Sequence, residues 1–146
     1  LEIMDRIARR IERSGGANYS QLAEMDSIGA KMVKSANVMA NEVQAQALVV
    51  FTRTGGMARN AAWLRPAQTP IYAFTENEKL LDQLTILWGV RPFLMKFEDD
   101  PADNFQNALA VLKEHALVQP GGHVIAVTEV TINGKLIDTI LVETVE

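Results

Sequence analysis

The 146-residue chain contains no cysteine. Disulfides, thiolate zinc sites and cysteine nucleophiles are therefore excluded, and the composition suits a reducing compartment such as the cytoplasm. Histidine is nearly as scarce. His115 and His123 are the only two, on separate predicted elements, with no carboxylate or second histidine at metal-ligand spacing. The chain has no serine, histidine and aspartate set for nucleophilic catalysis, and no lysine inside a glycine-rich phosphate loop. No apolar run approaches the ~20 residues that a membrane-spanning helix needs, so no membrane partner is expected. Excess charge of one sign is also missing: 14 basic against 18 acidic side chains leave a net −4. Nucleic acid, which asks for a basic face, is an unsuitable partner. The first residues, Leu1-Glu2-Ile3-Met4-Asp5, lack the basic-then-apolar layout of a signal peptide. They also lack an initiator methionine, so the chain is expected to be an excised piece of a longer one.

What is present is the balance of a globular domain: 48% apolar and 22% charged residues, enough for one core without covalent staples. Met4, Ile7, Ala8 and Ile11 recur at helical spacing and predict a helix that ends by Ser14. The polar stretch from Gly15 to about Met25 reads as a linker, so residues 1–14 form a separate unit from 26–146. Asp26 is suited to cap a second helix, whose apolar face would use Ile28, Met32, Val33, Ala36 and Val43. Short runs of strand formers then alternate with helical patterns. Strands are predicted at 47–52, 71–75, 90–97 and 123–127, and helices from about 56, after the Thr75–Glu78 capping-box spacing, and after Asp103. Pro92 confines the third strand to an edge or an end. Residues 137–145 alternate as a fifth strand. The 131–136 link before it is too short for a parallel crossover. The predicted fold is α/β with three layers: a mostly parallel five-stranded sheet, helices on both faces, and an antiparallel last strand.

Ligands of such sheets bind at the carboxyl ends of the strands, which directs attention to Thr52-Arg53-Thr54-Gly55-Gly56. Here a strand gives way to a helix whose N-terminal amides can hold a phosphate, with two hydroxyls and a guanidinium at hand. The same spacing also describes a plain strand–helix turn with a solvated arginine. The remaining candidates read as structural: His115 and His123 as ordinary surface or packing histidines, Asp99 and Asp100 as a charged turn before Pro101, and Trp63 and Trp88 as packing residues in helices. No catalytic constellation and no metal site is expected from the residues themselves.

Several segments, in order, resemble the C-terminal domain of pyruvate kinases. Residues Ala47 to Ala58 are similar to that domain's first strand and phosphate loop. Arg65-Pro66 with Pro70 to Glu78, then Leu87-Trp88-Gly89-Val90-Arg91-Pro92, then His123 to Thr128 resemble its later signatures, and Leu1 to Glu12 resembles the last helix of the catalytic barrel. The resemblance implies a glycolytic phosphotransferase acting on phosphoenolpyruvate and ADP with Mg²⁺ and K⁺, whose substrate and metal residues lie in other domains. It further implies that this domain takes a phosphorylated effector, at Thr52, Arg53, Thr54, Gly55 and Gly56, needs no cofactor of its own, and contributes to a homo-oligomer. Two departures stand out. Met57 replaces a family hydroxyl, and Thr131 to Asp138 replaces a glycine-rich loop that helps close over a sugar bisphosphate. Two other readings stay open: a purely structural oligomerisation domain, and a free-standing binder of a small phosphorylated ligand.

Overall fold

The computed structural model describes residues 2–13, 24–66, 68–132 and 135–146. The elements are α1 (Glu2–Arg13), α2 (Ile28–Glu42), β1 (Ala47–Phe51), α3 (Gly56–Leu64), β2 (Ile71–Thr75), α4 (Glu78–Leu84), β3 (Val90–Leu94), α5 (Pro101–Glu114), β4 (His123–Ile132) and β5 (Lys135–Thr144). The strands form one sheet in the order β3-β2-β1-β4-β5. β1 pairs in parallel with β2 and β4, β2 with β3, and β4 pairs antiparallel with β5. The predicted α/β sheet, with its antiparallel last strand, is therefore the observed one.

The continuous apolar run of β1 follows from its central place, since both of its faces are covered. Leu48 and Val50 pack with Val33, Ala36 and Ala40 of α2, Ala58 and Ala61 of α3, and Leu80 and Leu84 of α4. Ala47 and Val49 face the other way, onto Phe105, Ala108, Leu109 and Leu112 of α5. The small side chains of α2 and α3 let both helices lie close to the sheet. Pro92 sits in β3, the edge strand opposite β5, where a missing amide donor costs least.

Helix starts differ from expectation in three places. Ser27, one residue beyond Asp26, caps α2, its Oγ accepting from the Ala30 amide at 3.1 Å. Asn77 caps α4, with Oδ1 accepting from the amides of Lys79 and Leu80. Thr75 Oγ1 instead accepts from the Asn77 amide and shapes the preceding turn. Asp100 caps α5 through the Ala102 amide at 2.8 Å, because Pro101 with its preset φ fits the first helical position. β3 ends at Leu94, three residues early. The β4–β5 hairpin is longer than expected, paired as far as Ile132 and Lys135, so most of the 131–136 link is strand. Asn133 and Gly134 lie outside the described residues, as do residues 15–23 of the linker. Met25, at the linker's end, packs against the core. Among the described residues, no helix is long and apolar enough to cross a membrane.

Candidate functional site: the cleft at the end of the first strand

The turn from β1 into α3 is built by its own hydroxyls and glycines. Thr52 is buried, its amide extends the ladder to Phe74 O at 2.9 Å, and its Oγ1 accepts from the Gly55 amide at 2.8 Å. Gly55 adopts φ +86, and a Cβ there would lie 3.0 Å from Leu80 Cδ1. Both facts demand glycine at this position. No side chain caps α3, and the Arg59 amide, bonded to Gly55 O at 2.9 Å, makes its first intrahelical bond. The amides of Gly56, Met57 and Ala58 therefore precede the helical ladder, where the dipole is positive. Arg59 Nη2 donates to Thr54 O at 3.1 Å and fixes the outer side of the loop.

These features border a cleft of about 440 Å³ at the carboxyl end of β1. Thr52, Arg53, Thr54 and Met57 form one wall, and Glu98, Asp99, Pro101 and Asn104 the other. Phe51, Phe97 and Thr128 complete the lining. Of the five sequence candidates, Thr52, Arg53 and Thr54 line the cleft. Gly55 and Gly56 act from behind, by setting the turn. Arg53 is mostly exposed, with its Nε 3.9 Å from Glu76 Oε2 and its guanidinium carbon 5.9 Å from the Phe97 ring centre. An ion pair that long and that exposed is weak, so Arg53 keeps most of its capacity for an anion. Glu76 Oε1 also accepts from the Phe97 amide at 2.8 Å, so Glu76 meets both Arg53 and the residue that precedes Glu98.

Sequence reasoning missed the far wall. Asn104 grips Glu98 on both sides, its Oδ1 accepting from the Glu98 amide at 2.6 Å and its Nδ2 donating to the Glu98 carbonyl at 2.8 Å. That pair fixes the segment carrying Glu98 and Asp99. Thr128 was also missed. A signal existed: Thr52, Thr75 and Thr128 are buried threonines that directly follow, or close, the parallel-paired stretches of β1, β2 and β4.

His115 bonds Val111 O through Nδ1 at 2.9 Å and meets the Phe93 ring edge-on, while His123 bonds Thr144 Oγ1 at 3.1 Å, so neither enters the cleft. Among the described residues no group of three or more His, Asp or Glu is gathered that could hold a metal ion. The packing role expected of the tryptophans needs correction. Trp63 is 72% and Trp88 46% exposed, since α3 turns its alanines and Leu64 inward and Trp63 outward. Trp88 lies beyond the end of α4, at Leu84, and stacks beneath the Arg65 guanidinium at 5.2 Å.

A family model described as pyruvate kinase, alpha/beta domain, matches residues 30–142. Pyruvate kinase isozyme A, chloroplastic, of Nicotiana tabacum is 36% identical over 104 residues, covering 71% of this chain and 17% of its own length. Pyruvate kinase 2 of Synechocystis sp. is 34% identical over 144 residues, covering 98% of this chain and 24% of its own. Among solved structures, Cryptosporidium parvum pyruvate kinase in complex with ADP superposes with a TM-score of 0.78 at 25% identity, over 85% of this chain and 25% of that one. The chain thus spans a quarter or less of the length of these relatives.

Proposed function

This chain belongs to the pyruvate kinase family, as its α/β domain, and from that premise we propose that it is the C-terminal regulatory and assembly domain of a parent kinase. The parent transfers phosphoryl from phosphoenolpyruvate to ADP, with Mg²⁺ and K⁺ held in its other domains, and this chain alone does not catalyse the reaction. In the same proposal residues 1–14 close the parent's barrel, 15–25 are a linker, and 26–146 are the regulatory domain, at work in the cytoplasm. The domain serves two roles: it binds a phosphorylated effector and it joins subunits.

The observation that carries the effector role is the cleft beside the uncapped N-terminus of α3. There Arg53, Thr54 and the first helical amides converge at the carboxyl end of the central strand. A phosphate on those amides gains the helix dipole, and Arg53 adds a charge-assisted hydrogen bond. The assembly role is supported by β5, an edge strand on which Ile137 and Val142 are 40% and 52% exposed. The purely structural reading draws on Glu98 and Asp99, which set two carboxylates against one guanidinium.

Calorimetric titration with glucose 6-phosphate decides between them. The expected result is binding at millimolar concentration or tighter, weakened about ten-fold or more by Arg53→Ala. No heat of binding, or equal affinity in the variant, would leave the structural reading.

A further inference from the structure

A second surface lies at the amino ends of β2 and β3, away from the cleft. α3 runs back from the end of β1 and stops at Leu64, where Arg65 closes it with φ 44. That left-handed position ordinarily takes glycine, because a side chain there is strained. The Arg65 guanidinium lies over the Trp88 ring, 5.2 Å from its centre. The segment carrying Trp88 is held in turn. The Leu87 amide donates to Leu84 O at 3.1 Å, and Gly89 O accepts from the Ile71 amide at 3.3 Å. Arg59 and Trp63, four residues apart on α3, share one helical face. With Leu87, Arg65 and Trp88 they border a cavity of about 350 Å³.

Two features decide what this surface suits. It is apolar: Trp63 is 72% exposed, Trp88 46%, and Ile86, next to Leu87 in the chain, 84%. Single exposed hydrophobic residues are ordinary, but adjoining ones rimmed by polar groups mark a docking surface. It is also cationic. The described lining residues include two arginines and no carboxylate, in a chain of net charge −4. An acidic partner complements that charge, whereas a second copy would set these arginines against their own kind across a two-fold contact. The apolar surface continues past the cavity onto Ile86, so an extended segment covers it better than a small molecule does.

We propose that this surface docks an acidic linear segment of a partner protein. An apolar side chain of the segment seats against Trp63 and Trp88, and its flanking carboxylates pair with Arg59 and Arg65. Tryptophan and arginine are the side chains that most often carry the energy of such contacts. Stacking on Trp88 fixes the plane of Arg65, so a carboxylate approaching its edge meets a preset fork. The pairs form between exposed groups, so added salt weakens them. The proposal stands independently of the effector cleft.

The test selects phage-displayed random dodecapeptides on the chain and on its Trp63→Ser variant. Peptides enriched on the chain alone are expected to carry Asp or Glu beside Leu or Phe. The strongest tryptophan-free peptide is then synthesised and titrated at low and high salt. The chain has two tryptophans, both on this surface, so their emission reads the site directly. Binding should shift that emission to the blue and weaken as salt rises. Trp63→Ser should weaken it about ten-fold or more, and Arg65→Gln about five-fold with a smaller salt dependence. Trp63 and Arg65 are exposed, and an unchanged unfolding temperature confirms that the variants are folded. The proposal is overturned if no peptide prefers the chain to Trp63→Ser, or if the enriched peptides lack acids. It also fails if Arg65→Gln binds equally well, or if phenylacetate competes as strongly as the peptide, which would mark a small-anion pocket. A blue shift on concentrating the chain alone would assign the surface to a second copy and overturn it too.

Discussion

At the scale of single residues, two buried polar groups set measurable limits on stability. Asn37 on α2 is fully buried, and neither its Nδ2 nor its Oδ1 has a hydrogen-bond partner among the described residues. A buried unpaired amide costs about 1–3 kcal/mol, so Asn37→Leu should raise the melting temperature, as read by calorimetry. Tyr72 is buried in the α5-side core, and burial raises its hydroxyl above its ordinary pKa of 10.0, with the Arg91 guanidinium pulling it part of the way back. The fold favours the neutral phenol. Its contribution is full below about pH 10 and is lost as pH rises through the raised value, because the unfolded chain releases the proton first. Unfolding temperatures followed from about pH 8 to 11 should fall more steeply for the chain than for Tyr72→Phe. The site itself was half legible in sequence. Thr52, Arg53 and Thr54 stand beside two glycines where a strand meets a helix, and local chemistry suffices to find them. Glu98, Asn104 and Thr128 reach the cleft only through the sheet order and the packing of α5, which no local spacing encodes.

At the scale of elements, the apolar runs located every strand of the parallel core, because a strand covered on both faces must be apolar throughout. Helix starts were harder to place, since Ser27, Asn77 and Asp100 compete with neighbouring residues equally able to cap. Pro101 was the deciding signal for α5. A proline at the first helical position marks Asp100 as the cap, and a chain read only for apolar spacing starts that helix too late. Asp100→Ala should destabilise the fold by about 1 kcal/mol in urea unfolding, whereas Asp103→Ala, within the helix, should cost less. The β4–β5 hairpin was underestimated for a similar reason. Its ladder runs on to Ile132 and Lys135, and weighing only the length of the link overlooks those pairs.

At the scale of the whole molecule, the sheet leaves β3 and β5 at its edges, and β3 carries Pro92 against further pairing while β5 has no proline. The proposed two-fold association through β5 predicts a light-scattering mass of twice 16.1 kDa at high concentration. A proline at Val142 should return the chain to monomer, and a monomeric mass for the unaltered chain would contradict the association. The central claim is the ligand site, and amide chemical-shift mapping tests it most directly. On titration with glucose 6-phosphate, the largest shifts are expected at Thr54, Gly55, Gly56 and Met57, with Thr128 responding across the cleft. Absence of shifts at millimolar ligand, or shifts centred on Trp63 and Trp88 instead, would contradict the account.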